Sequence, residues 1–118
     1  MDLANYVKTT DVPGMLNSAT VTKSANFTLS LDEAGKLVKC TKTSAQTVAV
    51  PANASVAFPV GTEIELVQYG AGKVTISAAS GVTINAAGGA KKTASQYSCA
   101  VLKKIDTDEW LLAGGLTT

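Results

Sequence analysis

Phe27, Leu29 and Leu31 alternate with Thr28 and Ser30, which puts the apolar side chains on one face of an extended segment. The same period of two returns three times. Ile64 and Leu66 alternate with Glu63 and Glu65, Val74 and Ile76 with Thr75 and Ser77, and Val82 and Ile84 with Thr83 and Asn85. Short strands are also expected over 36–40, 46–50, 95–105 and 110–113, with Pro51 stopping the second of these. Turn residues separate them: Asp32-Glu33-Ala34-Gly35, Gly70-Ala71-Gly72, Ser80-Gly81, Ala87-Gly88-Gly89 and Asp106-Thr107-Asp108-Glu109. No helical period of useful length fits. About eight short strands at regular spacing predict an all-β fold, an antiparallel β-sandwich or jelly-roll-like barrel.

Two details of that pattern carry further expectations. VTIS at 74–77 and VTIN at 82–85 read as a hairpin of two similar strands, because a β-solenoid would need more copies of the repeat. In the strand over 95–105, Tyr97, Cys99 and Val101 share one face, expected to point inward, and Ser98, Ala100 and Leu102 share the other. Trp110, the one tryptophan, follows a polar turn and is expected to close the core.

The pattern changes before residue 23. Leu3, Tyr6, Val7, Met15 and Leu16 are scattered without a period, and Pro13-Gly14 is a turn signal. Residues 1–22 are therefore expected to form an extended arm whose apolar side chains attach the chain to a partner or to its own copies, and residues 23–118 to form the β domain. The first residues lack the basic and apolar regions of a signal peptide, and no apolar run has the length of a membrane span, so synthesis in the cytoplasm and no membrane partner are expected.

Composition narrows the chemistry. The formal net charge is +1 and there is no histidine. All ten basic residues are lysines, so the forked donors that read bases and clamp phosphates are absent, and no nucleic-acid partner is expected. Without histidine the commonest general base and the commonest metal ligand are also missing. The serines have no base to activate them. Glu63 and Glu65 lie on the polar face of one strand, and the acidic turns lack the layout of a calcium loop. Lys91-Lys92 and Lys103-Lys104 read as solvated pairs. The expected chain has no catalytic residue, no metal and no cofactor, and is not an enzyme. Cys40 and Cys99 read either as small buried apolar residues or as partners in a disulfide, within one chain or between chains. Cys40, at a strand end, is expected to be the more reactive of the two.

Several stretches are similar to a known family. Residues 31–38 read LDEAGKLV, residues 50–70 read VPANASVAFPVGTEIELVQYG, residues 72–85 read GKVTISAASGVTIN, and residues 106–112 read DTDEWLL. Together they resemble a small β domain that recurs in virion proteins of tailed bacteriophages, including capsid-decoration, head-fibre, collar and tail-fibre components. The resemblance covers about three quarters of the chain. It implies a structural virion protein, usually oligomeric and often a homotrimer, bound to the major capsid protein or another virion protein, with no catalytic residues to carry over. A short arm plus one β domain suits a capsid decoration protein or a short head fibre better than a long shaft. The competing expectation is a fibre or collar module that recognises a surface carbohydrate or a virion partner. A sugar platform needs exposed aromatic rings, and most of the aromatic residues here occupy core-like positions.

Overall fold

The computed structural model describes residues 19–118. Eleven short strands hold about half of them: β1 (Thr20–Lys23), β2 (Phe27–Thr28), β3 (Leu37–Cys40), β4 (Gln46–Val50), β5 (Glu63–Gln68), β6 (Val74–Ala78), β7 (Thr83–Ala86), β8 (Lys92–Thr93), β9 (Cys99–Asp106), β10 (Glu109–Gly114) and β11 (Leu116–Thr117). They form two sheets, one of six strands in the order β1-β3-β5-β9-β10-β7 and one of five in the order β11-β8-β6-β4-β2. The all-β, two-sheet expectation holds.

The pairing within the sheets differs from the expected antiparallel one. From β1 to β9 the chain changes sheet at every connection, and only β9 and β10 are consecutive strands of the same sheet. Through β6, each crossing to the other sheet and back returns the chain in its original direction. β1, β3 and β5 are therefore mutually parallel, as are β2, β4 and β6. β2, β3, β4 and β5 each serve as the crossover connection that a parallel pair in the other sheet requires. Antiparallel pairing is confined to β5-β9-β10 and β6-β8-β11, and β7 lies parallel to β10. The VTIS and VTIN segments are accordingly not a hairpin. Val74, Ile76 and Ile84 come from opposite sheets and enter the same core.

Alternation sets what faces inward. Val38, Cys40, Ile64, Leu66, Leu102 and Leu112 of the six-stranded sheet meet Val48, Val50, Val74 and Ile76 of the other. Glu63 and Glu65 point outward, as their pattern predicts. In β9 the expected faces are reversed: Ala100 and Leu102 are buried while Cys99 and Val101 are exposed. Both faces of that strand carry apolar residues, so its own sequence does not choose. Its neighbour does, because the register puts Ala100 beside Leu66 and Leu102 beside Ile64.

Two boundaries move. β1 pairs along its length with β3, so the sheet takes in residues on both sides of the expected division at 22/23. Asp32 and Glu33 are not simply a solvated turn. Ser30 and Glu33 form a capping box at a 3₁₀ turn, Leu31–Glu33, and the buried Glu33 carboxylate lies 3.7 Å from the Lys23 ammonium.

Candidate functional site: a tyrosine corner at one end of the sheets

The parallel strands give the molecule two different ends. At one, β3 and β5 finish side by side, with Cys40 opposite Gln68, and β9 begins beside them, with Cys99 opposite Val67. The loops over 41–45, 69–73 and 94–98 meet there. Gly72 N–H donates to the Lys42 carbonyl, Gln46 N–H to the Lys73 carbonyl and Gln68 N–H to the Ser98 carbonyl. A side chain at Gly72 would overlap the Ser44 carbonyl, so the close approach of the first two loops requires glycine.

Buried amides hold these loops. Gln46 Nε2 donates to the carbonyls of Lys23 and Ala25 at 3.1 and 2.8 Å, and its Oε1 accepts from Lys42 N–H. Gln68 Nε2 donates to the carbonyls of Gly70 and Ala71, and its Oε1 accepts from the Thr93 hydroxyl. Thr93 Oγ1 in turn accepts from Val74 N–H at 2.9 Å. Among the described residues no buried side-chain polar atom is left without a partner. Such a saturated network fixes the backbone that leaves it.

Two tyrosines stand on this support. Tyr69 is 46% exposed and Tyr97 is 63% exposed. Their ring centroids lie 5.6 Å apart and their planes meet at 80°, which makes a corner. Tyr97 has φ of 71°, and it is the only non-glycine residue with positive φ among those described. That conformation is costly for a bulky side chain. It is enforced by Tyr97 N–H donating to the Gln68 carbonyl at 2.6 Å, by Ser98 N–H donating to the Ser95 carbonyl, and by Gln96 Nε2 donating to the Tyr69 carbonyl at 3.0 Å. The ammonium of Lys39 sits 4.1 Å from the centre of the Tyr69 ring, a cation–π contact. Expecting the aromatic residues in core-like positions holds for Phe58 and Trp110 and fails for these two.

The two ends of the strands differ in their charged residues. The three loops beside the corner carry Lys42 and Lys73 and contain no carboxylate, and Lys39 adds a third ammonium. Asp106, Asp108 and Glu109 occupy the β9–β10 turn at the opposite end, where Glu63 also begins β5, together with Lys103, which pairs with Glu63, and Lys104.

At this opposite end residues 53–58 pack against residues 104–110. Asn53 N–H donates to Asp108 Oδ1 at 2.7 Å. The Lys104 ammonium, in a side chain 1% exposed, donates to Asn53 Oδ1 and to the Phe58 carbonyl, both at 2.7 Å. Phe58 meets Trp110 edge-to-face, with centroids 5.5 Å apart. Lys104 is thus a core residue and not half of a solvated pair. Lys103 does face outward, 3.1 Å from Glu63.

The remaining site expectations divide. Leu3, Tyr6, Val7, Met15 and Leu16 lie outside the described residues. Cys40 and Cys99 are both free. β5 runs between their strands, which separates the backbones by two strand spacings, roughly 9–10 Å and beyond the reach of a disulfide. Their characters are the reverse of those expected. Cys40 is 0% exposed and burial pushes its thiol up to about 11, whereas Cys99 is open to solvent. Comparison with protein-family models, curated proteins and solved structures gives no match.

Proposed function

We propose that this chain is a structural protein of a tailed-bacteriophage virion, a capsid decoration protein or short head fibre. One observation carries the proposal. The stretches over 50–60 and 104–112, far apart in sequence, interlock through Asn53, Asp108, Lys104, Phe58 and Trp110. Two of the four stretches behind the family resemblance, 50–70 and 106–112, therefore pack against each other, with Lys104 bridging them. In this reading the β domains assemble as a homotrimer, the residues before β1 grip the major capsid protein or another virion protein, and the mature location is the particle. Sheet edges at β1, β2, β7 and β11 supply pairing surfaces that assembly would cover.

Imaging of intact particles with the chain specifically labelled tests the proposal. Many copies spread over the shell are the expected result, and absence from particles would overturn it. Sedimentation of the full chain tests the trimer separately, and a monomer at micromolar concentration would remove it.

The exposed corner of Tyr69 and Tyr97 favours a second reading, a fibre or collar module that recognises a surface carbohydrate. Labelling confined to the neck or tail of the particle would favour that reading over decoration.

A further inference from the structure

We infer that the Tyr69–Tyr97 corner binds a carboxylate-bearing pyranose, the acidic sugar unit of a polysaccharide. The inference rests on the carbohydrate reading and not on the virion assignment. Three independent features converge on one place.

The first is conformational. Tyr97 is held at φ of 71° by hydrogen bonds from its own loop and from β5, yet its ring remains 63% exposed. A strained backbone that presents a large ring to water gains little from burial. Strain of this kind gathers where a ligand is held. The second is shape. Lys39 lies over the Tyr69 ring, and the more exposed ring of Tyr97 meets it at 80°, so Tyr97 offers a face with a wall beside it. The C–H face of a pyranose packs on the electron-rich face of an aromatic ring, and the wall limits how the sugar can turn. The third is charge. Lys39 lies at the corner, and among the described residues no carboxylate comes within salt-bridge distance of it. Lys42 and Lys73 extend the positive potential, and the surrounding loops contain no acidic residue. A neutral sugar could only accept hydrogen bonds from these ammonium groups, while a sugar carboxylate would also balance their charge.

A single corner also fits a sugar better than a nucleic acid strand. Strand binders set out a row of stacking rings along a basic groove. Tyr69 and Tyr97 are the only exposed aromatic rings among the large exposed apolar residues described.

The test uses the full chain and three probes: a short oligogalacturonate, a neutral galacto-oligosaccharide of equal length, and oligo(dT) as a plain polyanion. Binding is followed by isothermal titration and by the NMR signals of the tyrosine rings. The variants are Tyr97→Asn, which suits the left-handed backbone and keeps the loop, and Lys39→Gln, with Lys36→Gln as a control outside the corner. The expected result is saturable binding of the acidic sugar that weakens with salt. Tyr97→Asn and Lys39→Gln should each weaken it by roughly tenfold, and Lys36→Gln should not. Equal binding of the neutral sugar, unaffected by Lys39→Gln, overturns the acidic preference and leaves the carbohydrate reading standing. Binding of neither sugar overturns both, and the virion assignment is untouched. Oligo(dT) binding as tight as the acidic sugar, and insensitive to Tyr97→Asn, reduces the corner to a general polyanion surface and also overturns the inference.

Discussion

Lys104 and Asn53, 51 residues apart in sequence, are joined by a 2.7 Å hydrogen bond from the ammonium to the side-chain carbonyl inside the packed end of the domain. The second acceptor of the ammonium is the Phe58 carbonyl, and the backbone N–H of Asn53 is held by Asp108. Truncating one partner strands the other. Asn53→Ala should cost about 2–3 kcal/mol, since a buried charged group loses one of its two acceptors. Lys104→Met should cost a similar amount by leaving the Phe58 carbonyl unpaired. The double variant should cost less than the sum by about 1 kcal/mol or more, the sign of a direct coupling. Urea denaturation of the four proteins measures this, and strict additivity would show that the two side chains act independently.

Trp110 lies in the same unit, 1% exposed and edge-on to Phe58. Trp110→Ala should cost about 3–5 kcal/mol through lost burial and the cavity left behind. Thermal or urea unfolding reads the loss. A variant with an unchanged midpoint would contradict the placement of the indole in the core.

The two thiols should respond oppositely to the same reagent. Cys99 should react with a maleimide in the native protein, and Cys40 only after denaturation. A cross-link between copies in oxidised particles would then be abolished by Cys99→Ser and unaffected by Cys40→Ser on a non-reducing gel. Burial raises the Cys40 thiol from 9.0 to about 11, and the sign of its effect on stability follows. Below pH 9.0 the thiol is protonated in both folded and unfolded chains. Above it the unfolded chain ionises first, so stability is lost as the pH rises towards about 11. Cys40→Ala should flatten that part of the alkaline decline, and an unchanged slope would show that other groups cause it.

Particular residues show what was legible in the chain. Ile64 and Leu66 against Glu63 and Glu65 state their faces without ambiguity, because burying the carboxylates would be prohibitive. β9 states nothing of the kind. Each of its faces offers apolar residues and a lysine, and only pairing with β5 breaks the tie, burying Lys104 and exposing Cys99. Local alternation likewise identifies VTIS and VTIN as strands, but the hairpin expected of them fails, because alternation does not say which sheet each one joins. Partner choice depends on contacts distant in sequence, such as Thr83 N–H donating to the Asp108 carbonyl. The tyrosine corner was invisible for the same reason. Tyr69 and Tyr97 sit where alternation continues into a loop, and a positive φ at Tyr97 leaves no mark in a sequence that places Ser and Gln beside it.

Backbone strain at Tyr97 yields the last prediction, one in which stability and binding move in opposite directions. A non-glycine residue in the left-handed region costs about 1–2 kcal/mol, and asparagine tolerates that region better than a bulky aromatic. The native loop keeps its hydrogen bonds from Tyr97 N–H to Gln68 and from Ser98 N–H to Ser95 whatever the side chain, because both are made by the backbone. What Tyr97→Asn removes is the edge-to-face contact with Tyr69, and both rings are substantially exposed, so the loss is about 0.5–1 kcal/mol. Relief of strain therefore equals or exceeds the lost contact. Tyr97→Asn should leave the unfolding free energy unchanged or raise it by up to about 1 kcal/mol. Tyr97→Val, a β-branched residue in the same backbone conformation, should lower it by more than 1 kcal/mol, as both contact and conformational fit are lost. Urea denaturation of the two variants beside the parent protein checks the order. If Asn is the more destabilising substitution, the ring of Tyr97 is holding the loop, and the strain is part of the packing and not a means of presenting a ring to a ligand.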